Sequence, residues 1–293
     1  MSFKSSSFQL STIAFSILCL SAGFSGLAQA AKPNAPVPIA AAKAVAVNLS
    51  PSVGALASNE SIVRGAPGAS FIKLHFEYFH LPAGAVVEVS DVNGKEVYRY
   101  SAEKLGPHTV EAKRGENGKT SFAAMSVNGD QAKVRLLLNG AKWDWAVHGV
   151  RIRQIMEGFT PAKIAEAMRQ TELAPESTCG VNERRDAVCF ANSNPAEFER
   201  SRPVARLVLS GGLCTTWRVG NDNHLITNNH CIATQAEAQS AEVWFNYQNT
   251  SCGGGSLAPV TKVNAVQLLK TDEALDYTLY TISDLGAIAA FGN

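Results

Sequence analysis

Two side chains suited to proton transfer stand near the end of this 293-residue sequence, each beside an apolar strand. His230 follows an apolar run in Leu-Ile-Thr-Asn-Asn-His-Cys (225–231), and Asp276 opens a second such run, Asp-Tyr-Thr-Leu. An imidazole can take a proton from a hydroxyl and return it to a leaving amine, while a carboxylate fixes its tautomer. Together they look like the first two members of a Ser-His-Asp triad.

The third member of such a triad is missing from the sequence. Ser210 stands in the strand that leads to Cys214, and Ser256 follows three glycines at what reads as a loop tip. Neither position suits a nucleophile in a fold that presents His230 at a strand end. Two other interpretations of His230 stay open: a structural histidine beside a disulfide, or a metal site with His224 and Cys231.

Six short apolar runs surround the two candidate residues and must position them. Their spacing, with Gly, Asn and Asp turns between them, predicts one six-stranded β-barrel and is too short for two. The predicted strands are 204–209, 217–219, 225–227, 243–247, 263–269 and 277–282.

The stretch 61–158 is predicted as an antiparallel β-sandwich. Along 72–78, apolar residues alternate with Lys73, His75 and Glu77, which predicts one buried face and one face toward water. Asn93-Gly94, between two apolar runs, predicts a hairpin with a type I′ turn. The fold class expected is therefore all-β, a sandwich followed by a barrel.

The segments that flank the sandwich are predicted to connect rather than to build a core. Residues 31–60 are rich in Ala, Pro, Val and Ser without a sustained period, which is typical of a spacer. Thr160 and Pro161 are suited to the N-cap and first position of a helix, so 159–176 is predicted as a helical connector.

Residues 1–30 have the pattern of a cleaved secretory signal peptide: Lys4, an apolar run, and Ala-Gln-Ala at 28–30. A membrane anchor is the alternative, although the run is short and interrupted by serines. A net charge of +1 gives no electrostatic reason to expect nucleic acid or an anionic membrane as partner. We expect a secreted protein without a stable membrane anchor.

The cysteines support export. Cys19 lies in the signal peptide, and the other five fall in the last part of the sequence, which indicates a disulfide framework confined to one domain. Five is an odd number, so one cysteine is left with a free thiol, an intermolecular bridge, or a partner outside this sequence. The five are Cys179, Cys189, Cys214, Cys231 and Cys252.

Several motifs together resemble the first half of the chymotrypsin-fold serine endopeptidases, in particular the secreted lysyl endopeptidase-like enzymes. The motifs are 204–214 (Val-Ala-Arg-Leu-Val-Leu-Ser-Gly-Gly-Leu-Cys), 225–231, 276–279 and 243–252 (Val-Trp-Phe-Asn-Tyr-Gln-Asn-Thr-Ser-Cys). The resemblance covers about 177 to 285 and implies that 177–293 is the N-terminal half of a trypsin-like protease domain. The sandwich would then be a pro-region of a zymogen. Asn228-Asn229 departs from the common Ala-Ala, and the Gly-Asp-Ser-Gly-Gly segment is absent.

The resemblance also implies roles for individual residues. His230 would be the general base and Asp276 its orienting carboxylate, with a protein or peptide as substrate and no cofactor or metal. Cys214 would pair with Cys231, Cys189 with Cys252, and Cys179 with a cysteine outside the chain. Because the nucleophilic serine is absent, we expect a chain truncated before it and inactive alone. The alternative is a non-catalytic secreted β-sandwich binding protein with a degenerate protease half-domain.

Overall fold

A computed structural model describes residues 36–51, 58–172 and 185–293, and these residues are mostly β. The predicted signal peptide 1–30 and Cys179 lie outside the described residues. Among the described residues, no helix is both long enough and apolar enough to cross a bilayer.

The described residues of the first part contain eleven strands: β1 (Val37–Pro38), β2 (Ala40–Leu49), β3 (Ser58–Arg64), β4 (Phe71–His80), β5 (Val86–Asp91), β6 (Val97–Ser101), β7 (His108–Thr109), β8 (Phe122–Ala124), β9 (Val127–Asn128), β10 (Gln131–Leu137) and β11 (Gly149–Gly158). β1 pairs with a strand of the second part, and the other ten form two antiparallel sheets. One sheet has the order β3-β10-β5-β6, and the other has the order β2-β11-β4-β8-β7 with β9 paired to β4. Both sheets contribute to one apolar core, in which Phe76, Tyr100 and Phe122 pack together.

Strands occupy the described part of the range that composition predicted as a spacer. Within 31–60 the structure has β1 and β2 and the start of β3. β2 pairs with β11 over most of its length, and Val45, Val47 and Leu49 pack on the sandwich core. The strand was not predicted because half of its residues are alanines, which have little hydrophobic surface and so give no clear apolar alternation. Alanines fit this strand because β11 pairs with it.

The face of β4 that was predicted to meet water is covered over most of its length. Lys73 and His75 are buried, and only Glu77 is exposed. The alternation of apolar and polar residues is real, but the second part of the chain covers Lys73, and Glu111 and Glu116 of the first part cover His75. Periodicity identifies two faces of a strand and cannot say what covers each of them.

The hairpin predicted at Asn93-Gly94 exists, but its turn differs. β5 and β6 pair through a loop in which Gly94 has φ of 70° and Asn93 does not have a positive φ. The carboxylate of Asp91 accepts hydrogen bonds from the backbone N–H groups of Asn93 (3.0 Å) and Glu96 (2.7 Å). That carboxylate holds a longer loop in place of the type I′ turn.

A single α-helix, α1 (Pro161–Glu172), follows the sandwich, within the range predicted as the connector. The hydroxyl of Thr160 accepts a hydrogen bond from the backbone of Lys163 (3.3 Å), which makes Thr160 the N-cap. Ile164 is buried against both halves of the chain, so the helix is fixed by one apolar contact near its start.

The second part is a closed antiparallel barrel, as the sequence predicted. Its elements are α2 (Pro195–Ser201), β12 (Val204–Leu209), β13 (Gly212–Arg218), β14 (Leu225–Thr227), α3 (Gln235–Ser240), β15 (Glu242–Phe245), β16 (Asn249–Ser251), β17 (Gly254–Leu257), β18 (Thr261–Asp272) and β19 (Tyr277–Ile282), with short 3₁₀ helices at Ala187–Phe190 and Gly286–Phe291. Another 3₁₀ helix, Ala112–Arg114, lies in the first part. The six barrel strands hydrogen-bond in the order β13-β12-β15-β18-β19-β14, and β14 returns to β13.

The barrel encloses its own core. Leu207, Leu225, Val243 and Tyr280 are fully buried there. Inside it the hydroxyl of Thr216 shares a hydrogen bond with the Tyr280 hydroxyl at 2.7 Å. A core of this kind fixes the strand ends, and the candidate residues lie at two of those ends.

Candidate active site

His230 lies in the turn that follows β14. The backbone N–H groups of Cys231 (3.1 Å) and Ile232 (3.2 Å) donate to the carbonyl of Asn228, which closes that turn. Ile232 is fully buried in the barrel core, and Cys231 is joined to Cys214 on β13 by a disulfide. A buried residue and a covalent bond therefore hold the backbone immediately after His230.

Asp276 lies in the turn between β18 and β19. Its φ of 47° is left-handed, a conformation that Asp and Asn adopt more readily than other side chains except glycine. The register pairs Asp272 with Tyr277, so the turn is short and Asp276 stands next to the first residue of β19. This backbone conformation directs the carboxylate toward the turn that holds His230.

The structure brings the two side chains together. Nδ1 of His230 lies 2.9 Å from Oδ2 and 3.1 Å from Oδ1 of Asp276, and the backbone N–H of His230 donates to Oδ1 at 3.1 Å. Both side chains are partly exposed, with 26% of His230 and 31% of Asp276 accessible. Nε2 of His230 makes no hydrogen bond within the described part of the chain, so this nitrogen is open to an incoming group.

The carboxylate is held in its ionised form. Partial burial raises the pKa of Asp276, but hydrogen bonds from the backbone and ring of His230 and from Asn228 outweigh it and lower the pKa below its usual 3.8. A carboxylate that accepts several donors keeps its charge at neutral pH. It can therefore orient the ring of His230 and stabilise that ring when it takes a proton.

Asn228 is part of this arrangement, and sequence reasoning missed it. Its side-chain amide donates to Oδ2 of Asp276 at 3.1 Å and to the carbonyl of Asp276 at 3.2 Å. The neighbouring Asn229 instead donates to the hydroxyl of Thr271 at 2.7 Å. The sequence did contain a signal for this role, because Asn228 departs from the alanine expected two positions before His230. From that position its amide reaches the Asp276 carboxylate that His230 also contacts.

Replacing Asn228 by alanine should raise the pKa of the Asp276 carboxyl toward its usual value, because one donor to the ionised form is lost. Carboxyl carbon shifts in a 13C NMR titration measure this change. Asn229→Ala is the matched control, since its amide contacts Thr271, and it should leave the titration of Asp276 where it was. Equal titration curves in both variants would contradict the assignment.

Two disulfides join the pairs that the resemblance implied, Cys214–Cys231 and Cys189–Cys252. Cys214, His230 and Cys231 lie close enough together to suggest a metal. Metal binding by cysteine needs a thiolate, however, and these two sulfurs are bonded to each other. The disulfide thus removes the ligand on which the metal interpretation depended.

Removing the disulfide beside His230 should loosen the turn that carries it. For Cys214→Ser with Cys231→Ser, we expect a loss of about 3 kcal/mol in the free energy of unfolding, since the bridge closes a short loop. Urea titration measures the loss. Hydrogen exchange at the backbone N–H of Ile232 should be faster in the variant that lacks Cys214–Cys231 and unchanged in Cys189→Ser with Cys252→Ser. Equal exchange rates in the two variants would show that the Cys214–Cys231 bridge does not specifically hold the His230 turn.

The serines considered as nucleophiles lie elsewhere. Ser210 borders a groove shared with Glu111, Thr234 and Glu237. Ser256 lies on β17, where its hydroxyl is 3.4 Å from that of Thr250. In the described residues, no hydrogen bond joins either hydroxyl to His230.

Comparison with known proteins gives two similarities. Residues 178–290 match the family model described as the C-terminal domain of lysyl endopeptidase. "Secreted RxLR effector protein 73" of Plasmopara viticola is 28% identical over 222 residues, which is 72% of this chain and 52% of that protein. The chain therefore spans about half the length of the curated relative it matches. By these comparisons, the last part of the chain is similar to a protease-family domain, and most of the chain is similar to a secreted effector.

Proposed function

We propose that the barrel is the part of a secreted, trypsin-like serine endopeptidase that carries the general base and its orienting carboxylate. The observation that carries the proposal is the contact of 2.9 Å between Nδ1 of His230 and Asp276, with Nε2 left open. The family match over 178–290 supports it, because the domain that it names comes from an endopeptidase.

In this mechanism Nε2 of His230 takes the proton of a serine hydroxyl as that hydroxyl attacks the peptide carbonyl. The resulting imidazolium donates through Nδ1 to Asp276 and is stabilised by its charge. Nε2 then returns the proton to the leaving amine. The serine and the donors that stabilise the oxyanion belong, in our proposal, to a part of the protein outside the described residues.

Labelling and hydrolysis test the proposal together. The whole natural reading frame that encodes these residues is expressed, exposed to a fluorophosphonate probe, and assayed with fluorogenic peptides. We expect both labelling and turnover, and loss of both in His230→Ala, because a serine without its base is not activated. Turnover that survives His230→Ala would refute the role of this histidine.

A second candidate is a secreted binding protein whose barrel does no catalysis. The similarity to the effector favours it, since 222 aligned residues must extend well beyond 178–290 and include the sandwich. In that case a folded, full-length product would show neither labelling nor turnover. The same experiment therefore separates the two candidates.

A further inference from the structure

Charged side chains are buried between the sandwich and the barrel. Glu242 of the barrel is completely inaccessible, and Lys73 on β4 of the sandwich is 4% exposed. Nζ of Lys73 lies 3.0 Å from Oε1 of Glu242. Buried ionised groups of this kind occur in proteins when they are paired and hydrogen-bonded.

Both oxygens of the Glu242 carboxylate accept hydrogen bonds from the sandwich, and Oε2 also accepts one from the barrel. The backbone N–H of Ser126 donates to Oε1 at 3.1 Å, and its hydroxyl donates to Oε2 at 2.6 Å. The indole N–H of Trp244 also donates to Oε2, at 2.8 Å. The sandwich therefore supplies three of the donors that make the burial of this carboxylate tolerable.

A second buried cation crosses the boundary in the opposite direction. Lys262 of β18 donates to the carbonyl of Ser126 at 2.9 Å and to the side chain of Asn128 at 3.0 Å, and it pairs with Glu96 of the sandwich at 2.9 Å. Burial holds the pKa of Lys262 below its usual 10.5, although the charges of Glu96 and Glu242 oppose that effect. If the sandwich and the barrel separate, Lys73 loses Glu242 and Lys262 loses Glu96, so each part is left with an unpaired charge.

Apolar packing and strand pairing cover the rest of the boundary. Phe71 of the sandwich meets Trp244 of the barrel edge to face at 5.3 Å, in a cluster with Ile39 and Val208. β1 pairs with β13 of the barrel, and the chain continues directly into β2 of the sandwich. The boundary therefore combines an apolar cluster like that of a domain core with buried ion pairs that cross it.

The sandwich leaves the His230–Asp276 pair partly exposed, with 26% of His230 and 31% of Asp276 accessible. Its contacts with the barrel fall on β12, β15, β18 and α3, and β1 pairs with β13. In the described residues, all hydrogen-bond partners of His230 and Asp276 belong to the barrel.

We propose that the sandwich is a permanent partner of the barrel, which remains bound after the chain between them is cut and leaves the His230–Asp276 pair accessible. Its interaction surface is the face formed by Lys73, Ser126 and Phe71, and the surface that it fits is that of Glu242, Trp244 and Lys262. The resemblance implied a removable pro-region that keeps a zymogen inactive. The pair is partly exposed while the sandwich is in place, so the sandwich does not block it directly. This inference does not depend on the proposed peptidase activity.

An engineered cut in the otherwise complete chain tests the proposal. The recognition sequence of a site-specific protease, flanked by Gly and Ser, is inserted between Glu176 and Ser177, and the folded protein is cut. We expect the two pieces to co-elute in size exclusion at the volume of the uncut chain. Elution of the cut pieces as two separate species in this run would overturn the proposal.

Variants at the interface test which residues hold the two cut pieces together. Ser126→Ala removes one hydroxyl donor to Glu242 and should raise the dissociation constant of the cut pieces about ten-fold, without leaving a charge unpaired. Glu77→Ala, on the same strand as Lys73 but exposed, is the matched control and should leave the dissociation constant unchanged. Equal effects in both variants would contradict the mapped surface.

The accessibility of the pair is measured without any catalysis. Acylation of His230 by diethyl pyrocarbonate, followed by peptide mapping, reports whether its ring is open to reagent. We expect the same rate in the uncut chain, in the cut complex and after the pieces are separated by dilution. A clear rise on separation would show that the sandwich covers His230 and would refute this half of the proposal.

Discussion

In the proposed endopeptidase, replacing His230 by alanine is expected to lower kcat for peptide hydrolysis by about 10⁶-fold, the size of effect seen when the base of a serine protease triad is removed. The physical reason is that the serine hydroxyl of the proposed triad would lose its proton acceptor and the leaving amine would lose its proton donor. Asp276→Asn should cost about 10⁴-fold, because an amide favours the wrong tautomer of the ring it contacts. Initial rates of fluorogenic peptide hydrolysis by the whole gene product measure both losses.

One control variant and the pH dependence make this result specific. His224 directly precedes β14, and Asp276 contacts His230 instead of this histidine. His224→Ala should therefore leave kcat unchanged. The pKa of Asp276 lies below its usual 3.8, so the carboxylate remains ionised throughout mildly acidic pH, and loss of activity there must come from another group. A His230→Ala enzyme within ten-fold of the wild type would be incompatible with general-base catalysis by this residue.

The barrel and the candidate pair were predictable because their determinants are local. Strands β12, β14 and β19 begin and end at the residues that apolar alternation predicts. His230 and Asp276 each stand beside such a strand, and a closed barrel brings the two strand ends together. Alternation, turn residues and strand-end placement all act within a few residues of one another, and a single sequence records them.

The features that sequence reasoning missed depend on distant parts of the chain. Lys73 alternates with apolar neighbours as an exposed residue would, and only its contact with Glu242 reveals a covered face. The strand at Ala40–Leu49 is held by β11, far along the chain, and its alanines carry no strong signal of their own. Asn228 gained its role only when the turn of β18 and β19 placed Asp276 beside it. In each case the partner is remote in sequence.

Glu242→Ala is expected to lower the free energy of unfolding by about 3 to 5 kcal/mol, the cost of breaking a buried ion pair on one side. The variant leaves the ammonium group of Lys73 buried without its 3.0 Å partner and removes the acceptor of Ser126 and Trp244. Lys262 keeps Glu96, so the loss centres on Lys73. Urea titration of the complete chain, followed by tryptophan fluorescence, measures the difference.

Three comparisons decide whether the cost arises from charge. Glu77→Ala removes an exposed carboxylate whose ion pairs are long, and it should cost less than about 1 kcal/mol. Joint replacement of Lys73 and Glu242 by methionine removes both charges and should restore the part of the stability that the unpaired Lys73 ammonium group costs, while the donors of Ser126 and Trp244 stay unpaired. Lysines and donors hold the pKa of Glu242 below its usual 4.5 against the effect of burial, so its ionised form stabilises the fold above that pH. The gap between wild type and Glu242→Ala should therefore narrow as the pH falls below 4.5, and a gap that stays constant into acid would show that lost packing, rather than the ion pair, sets the cost.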